Sequence, residues 1–207
     1  MHLKLLAIAT ILVFCFTSTS LAFAQNDDKI VVFHTEFGHL AIELFSDDAP
    51  NTAESFLKLA ESSFYDDTIF HRILKDFMIQ GGDPNTKEHS TIKYRDDDGE
   101  KVVIHPDQSK WGQGDAGYCQ KAEFNTIKHD RGIVSMARSM HPDSAGSQFF
   151  IVHKNSPYLD EQYTVFGRII TQESYDTLDK LANLETTTND IPLELIKAKI
   201  KKTEVVT

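Results

Sequence analysis

Short runs of β-branched and aromatic residues, each closed off by Gly, Pro, Asn or Asp, recur along most of this chain. Such runs bury one face and need neighbours on both edges, so they predict an antiparallel sheet built from hairpins rather than a helical bundle. Lys29 to Phe33 and Leu40 to Phe45 flank Glu36-Phe37-Gly38, whose glycine suits a tight hairpin turn. Thr68 to Gln80 breaks at Lys75-Asp76 and fits two strands or one bent strand. Gly132 to Arg138, Ser147 to His153 and Thr164 to Ile170 continue the pattern, and Ile196, Ala198 and Ile200 alternate with lysines as a half-buried strand. Two segments change period. Pro50 opens one with Phe56, Leu57, Leu59 and Ala60 on a helical face, and Ser174 to Leu184 is the other, through Leu178, Leu181 and Ala182. The predicted fold is mainly β: a closed antiparallel barrel capped by two helices.

Of the 207 residues 41% are apolar and 25% charged, the balance of one globular domain. The formal charge of −10 argues against phosphate backbones or anionic lipid, so no nucleic acid is expected as a partner. At the start, Lys4 precedes an apolar run from Leu5 to Phe16 and a small-x-small site at Ala22-Phe23-Ala24. This reads as a signal peptide over 1–24, with the functional domain over 25–207. The run is shorter than the roughly 20 residues that span a bilayer, so stable membrane insertion is not expected after cleavage; an uncleaved anchor is the alternative. The protein is then exported, to a periplasm, cell surface or medium. Cleavage removes Cys15 and leaves Cys119, expected to be a packed small side chain.

Asn85 to Trp111 has no apolar periodicity and carries Asp96-Asp97-Asp98-Gly99, which marks a long polar insertion. Its acidic cluster lacks the first ligand of a calcium loop, since Tyr94 stands there. No histidine has a paired spacing with Cys or carboxylate that fixes a tetrahedral site, and no metal is expected. In Phe70-His71-Arg72-Ile73, strand alternation puts Phe70 and Arg72 on one face and His71 and Ile73 on the other. Arg72 is either solvated sheet surface or the polar edge of an apolar site, with Gln80 its nearest partner. Gln148 and Phe150 likewise share a face opposite Phe149 and Ile151.

Phe70-His71-Arg72-Ile73, Phe77-Met78-Ile79-Gln80-Gly81-Gly82-Asp83, Ser135-Met136-Ala137-Arg138, Gly146-Ser147-Gln148-Phe149-Phe150-Ile151 and Val165-Phe166-Gly167 occur in the order seen in cyclophilins. The resemblance runs from about Ile30 to Val206. It implies an eight-stranded antiparallel barrel capped by two helices, and peptidyl-prolyl cis/trans isomerisation in proline-containing polypeptide clients by a monomer without a cofactor. Residue by residue, it implies that Arg72 is the catalytic guanidinium, held by Gln80, and that Phe77, Met78, Phe150 and Leu159 take the proline ring. It further implies that Gln148 contacts substrate backbone while Ala137, Arg138 and Ser139 line the peptide groove. Arg138, Tyr158 and Tyr163 stand where the best-known eukaryotic members have Asn, Trp and His. These changes resemble prokaryotic members and lead us to expect intact isomerisation with only weak cyclosporin binding.

The residue types suit that reaction. Amide resonance sets a barrier of roughly 18–20 kcal/mol for X-Pro rotation, and no covalent bond breaks, so neither nucleophile nor metal is needed. A binding module using the same groove is the rival class, and it has use for the pocket but not for the arginine.

Overall fold

The computed structural model describes residues 29–88, 92–95, 101–104 and 108–207. The N-terminal apolar run, the Ala22-Phe23-Ala24 motif read as a cleavage site and the Asp96–Gly99 cluster lie outside them. The elements are β1 (Ile30–His34), β2 (His39–Leu44), α1 (Pro50–Glu61), β3 (Arg72–Leu74), β4 (Met78–Gly81), β5 (Ile92–Arg95), β6 (Lys101–Ile104), β7 (Ile133–Met136), β8 (Phe149–Val152), β9 (Val165–Ile169), α2 (Gln172–Ala182) and β10 (Lys202–Val206).

Eight strands form one curled antiparallel sheet in the order β10-β1-β2-β9-β7-β8-β4-β3. Thr35 and Gly38 close the β1–β2 turn, and Val31, Phe33, Leu40 and Ile42 send every second side chain inward. The edge strands β10 and β3 share no ladder. Instead the segments before them meet: Ile69 bridges Lys199, Phe70 N–H donates to Ala198 O at 2.9 Å, and Ile200 N–H to Thr68 O at 2.8 Å. The eight-stranded antiparallel sheet expected is therefore curled into a half-barrel whose edges are joined by a bridge. β3 has only three residues, and Ile73 N–H is already given to Asp190 O at 2.8 Å.

The aromatic core explains why the site is rigid. Phe149 packs its ring 5.4–6.1 Å from those of Phe33, Phe56, Tyr65 and Phe70, all fully buried. Each buried ring contributes about 1.5–3 kcal/mol, so β8 is fixed by its inward side chains and its outward ones inherit the position. The outward face is not solvated. Met78, Ile133, Phe150, Val152, Leu159 and Val165 form a second apolar cluster there.

Two readings of the sequence need correction. Phe70 precedes β3 and turns into the core, so it does not share a face with Arg72. Ile196 to Ile200 is not a strand: Lys197 and Ala198 N–H close turns onto Glu194 and Leu195, leaving Ile196 exposed, and β10 starts only at Lys202. Within the polar insertion β5 and β6 pair as a separate two-stranded sheet.

Candidate functional site

Arg72 and Gln80 stand opposite each other across β3 and β4, Gln80 opposite Phe150 across β4 and β8. Outward positions of three neighbouring strands thus converge. Gly82, just beyond Gln80, has φ of +83°, and a Cβ there would meet Ser147 O at 2.5 Å. Only glycine lets the chain before Gln148 come this close, and Ser147 Oγ donates to Gly82 O at 2.8 Å.

Arg72, Phe77, Met78, Gln80, Ala137, Arg138, Phe150, Leu159 and Tyr163 line a cavity of about 130 Å³. An apolar cavity of about 150 Å³ accepts benzene, so this one suits a single five-membered ring. A larger cavity of about 430 Å³ adjoins it, sharing Gln80, Ala137 and Arg138 and adding Gln113, Gly114, Asp115, Cys119, Ser139, Ser144 and Gln148. Tyr158 lines neither: it is 62% exposed, with its ring 5.8 Å from Phe77. Cys119 is exposed at the wall of the larger cavity, not packed as expected, because the segment carrying it lies on the surface between Gly117 and Gln120.

The hydrogen bonds rearrange the expected roles. Gln80 Nε2 donates to Gln148 Oε1 at 2.9 Å, and Gln148 Nε2 donates to Gly114 O at 2.7 Å, so the two amides form one chain across both cavities. Among the described residues no hydrogen bond joins Gln80 to Arg72. The partner of Arg72 is Asp190, whose Oδ2 accepts from Nε at 3.4 Å. Both side chains are about two-fifths exposed, so the pair contributes only about 0.2–1 kcal/mol to stability. Arg138 donates to the carbonyls of Gln162 and Ser139, and its guanidinium lies 4.6 Å from the Tyr163 ring. It is a wall of the groove, its donors largely committed.

Sequence reasoning missed His129. Its ring stacks on Phe150 with centroids 6.0 Å apart, while Nδ1 lies 3.1 Å from Asp160 and Nε2 3.2 Å from Ser135 Oγ. Burial pushes the imidazole below its ordinary pKa, against the pull of the Asp160 carboxylate. A backbone N–H from His129 leads the contacts that hold Asp160 below the usual carboxylate range. His71, placed by alternation with Ile73 on the face opposite Arg72, is buried as Ile73 is, and burial lowers its pKa too. Among the described residues no cluster of three or more His, Cys, Asp or Glu could hold a metal.

An arginine beside a ring-sized apolar notch, with an amide chain running along an open groove, defines a protein that grips a cyclic side chain within an extended peptide. Residues 30–205 match the family model described as cyclophilin type peptidyl-prolyl cis-trans isomerase/CLD. The chain is 38% identical over 173 residues to peptidyl-prolyl cis-trans isomerase CYP18-1 of Arabidopsis thaliana, covering 81% of this chain and 91% of that one. It is 40% identical over 164 residues to peptidyl-prolyl cis-trans isomerase 10 of Caenorhabditis elegans, covering 79% and 88%. A crystal structure of a Cryptosporidium parvum cyclophilin in the presence of the dipeptide Ala-Pro superposes with a TM-score of 0.68 at 31% identity, covering 86% of this chain and 99% of that one. The chain belongs to the cyclophilin family and is a cyclophilin-type peptidyl-prolyl cis-trans isomerase.

Proposed function

We propose that Arg72 carries the chemistry, acting on an X-Pro bond whose ring sits against Phe77, Met78, Phe150 and Leu159. The observation behind this is that Arg72 lines, together with Phe77, Met78, Phe150 and Leu159, a cavity sized for one ring. As the bond twists, the prolyl nitrogen loses conjugation and its lone pair localises. A donor fixed beside that nitrogen is then favoured in the twisted state over the planar one, which lowers the barrier. Arginine suits the task because it stays protonated and offers a planar fork of donors. The apolar wall strengthens this single charged contact by excluding water. Gln148, with Ala137, Arg138 and Ser139, lies where the flanking peptide backbone would cross, and exchange spectroscopy on an X-Pro peptide tests the assignment through Arg72 variants.

The clients we propose are exported polypeptides whose folding waits on proline isomerisation, served by an enzyme of prokaryotic type. Support comes from the apolar run behind Lys4, the Ala22-Phe23-Ala24 site, and Arg138, Tyr158 and Tyr163 in place of the familiar eukaryotic residues. We expect a monomer that binds cyclosporin weakly, for want of an indole at Tyr158. Mass spectrometry of the protein from its host should find Gln25 as the N-terminus; retention of Met1 or Leu3 would instead identify an anchored form.

A further inference from the structure

Among the described residues the Arg72 guanidinium has one ion partner, Asp190, and that contact engages Nε alone. Nη1 and Nη2 carry no protein acceptor there and remain available to a substrate. The backbone that bears the carboxylate is itself held. Asp190 adopts a left-handed backbone with φ of 62°, its N–H donates to Thr187 O at 3.1 Å, and its carbonyl accepts from Ile73 N–H at 2.8 Å. Thr187 Oγ1 in turn accepts from the N–H groups of Asn189 and Ile191. The turn 187–191 is thereby clamped to the outer edge of β3, next to the residue that bears the guanidinium.

Resting on the reading that Arg72 is the catalytic group, we propose that Asp190 is its positioning residue. An arginine on a free four-bond stem must give up rotamer freedom each time it engages the twisting bond. A carboxylate that already holds Nε removes part of that cost and aims the two terminal nitrogens at the cavity. Gln80, opposite Arg72 in the ladder, makes its side-chain hydrogen bond to Gln148 instead. Asp190 is remote in sequence and reaches β3 only through the turn.

The test uses Asp190→Gly and Asp190→Asn in the full chain, since both residue types tolerate the left-handed backbone and leave the turn intact. Asp190→Gly should lower kcat/KM on an X-Pro peptide by about fivefold, near the most an exposed ion pair supplies, with peptide Kd changed less than about twofold. Asp190→Asn should recover part of the loss, because its amide oxygen still accepts from Nε. In an Arg72→Lys background, which lacks Nε, Asp190→Gly should cause no further loss. Wild-type turnover by Asp190→Gly overturns the proposal, as does an undiminished fivefold loss in the Arg72→Lys background, which would mark Asp190 as a turn residue only. Normal turnover by Arg72→Ala overturns the underlying assignment instead, so the two failures are separable.

Discussion

Arg72 and Gln80 are opposed in the β3–β4 ladder, and alternation alone made Gln80 the natural partner of the guanidinium. Register brings Cα atoms together but does not decide which acceptor a long side chain takes. Gln148 and Asp190, far apart in sequence, settle that competition. His129 shows the same limit, since nothing local in Lys128-His129-Asp130 tells that its ring backs Phe150. Its chemistry is testable. Because burial lowers the folded-state pKa, the unfolded chain takes the proton first as pH falls below about 6.5. The stability this residue contributes is present above that pH and is lost as pH falls through the lowered folded value. Imidazole shifts followed by NMR should show His129 still neutral where exposed histidines are half-protonated; titration of His129 at or above about 6.5 would contradict the packing described.

At the scale of elements, the opening of α1 at Pro50 was legible, because proline suits a first helical turn. Its cap was not. Ala49 offers no side-chain acceptor, and the free N–H groups of Asn51 and Thr52 are met by Glu123, from a loop distant in sequence. Burial opposes the charge on Glu123, but hydrogen bonds from Thr52 and Asn51 outweigh it and hold the carboxyl below its ordinary pKa. Stability from this contact is therefore complete above about pH 4.5 and is lost as pH falls through the lowered folded value. Glu123→Ala should cost about 1 kcal/mol by urea denaturation at neutral pH, as loss of a helix cap does, and an unchanged midpoint would show that water replaces it. The insertion is tied at its two ends. Asn85 Nδ2 donates to Lys110 O at 3.0 Å and Asp83 accepts from Gly112 N–H, which closes a neck at its base. Replacing residues 90–106 with a short Gly-Ser link should leave the thermal midpoint nearly unchanged. A large fall would mean that the hairpin β5–β6 packs on the body.

For the whole molecule, period-two alternation in segments such as β1, β2 and β8 was enough to predict an antiparallel barrel. Alternation could not reveal that the far face of β8 is also buried, since that depends on Leu159 and Val165 arriving from elsewhere in the chain. Nor could it place the C-terminal strand, because Ile196 to Ile200 alternates in sequence while turn hydrogen bonds claim the N–H groups of Lys197 and Ala198. The two buried faces give the molecule its logic. Phe149 is locked among Phe33, Phe56, Tyr65 and Phe70, and its neighbour Phe150 is thereby fixed as the floor of the notch that Arg72 overhangs. The account stands or falls on whether that guanidinium acts on the twisting bond rather than only gripping a ligand. Exchange NMR on one X-Pro peptide, with circular dichroism confirming the fold, should find that Arg72→Ala slows isomerisation by at least about 10²-fold, roughly 2.7 kcal/mol, while peptide affinity falls far less. Near-normal turnover by the folded variant, or equal losses of rate and affinity, would contradict it.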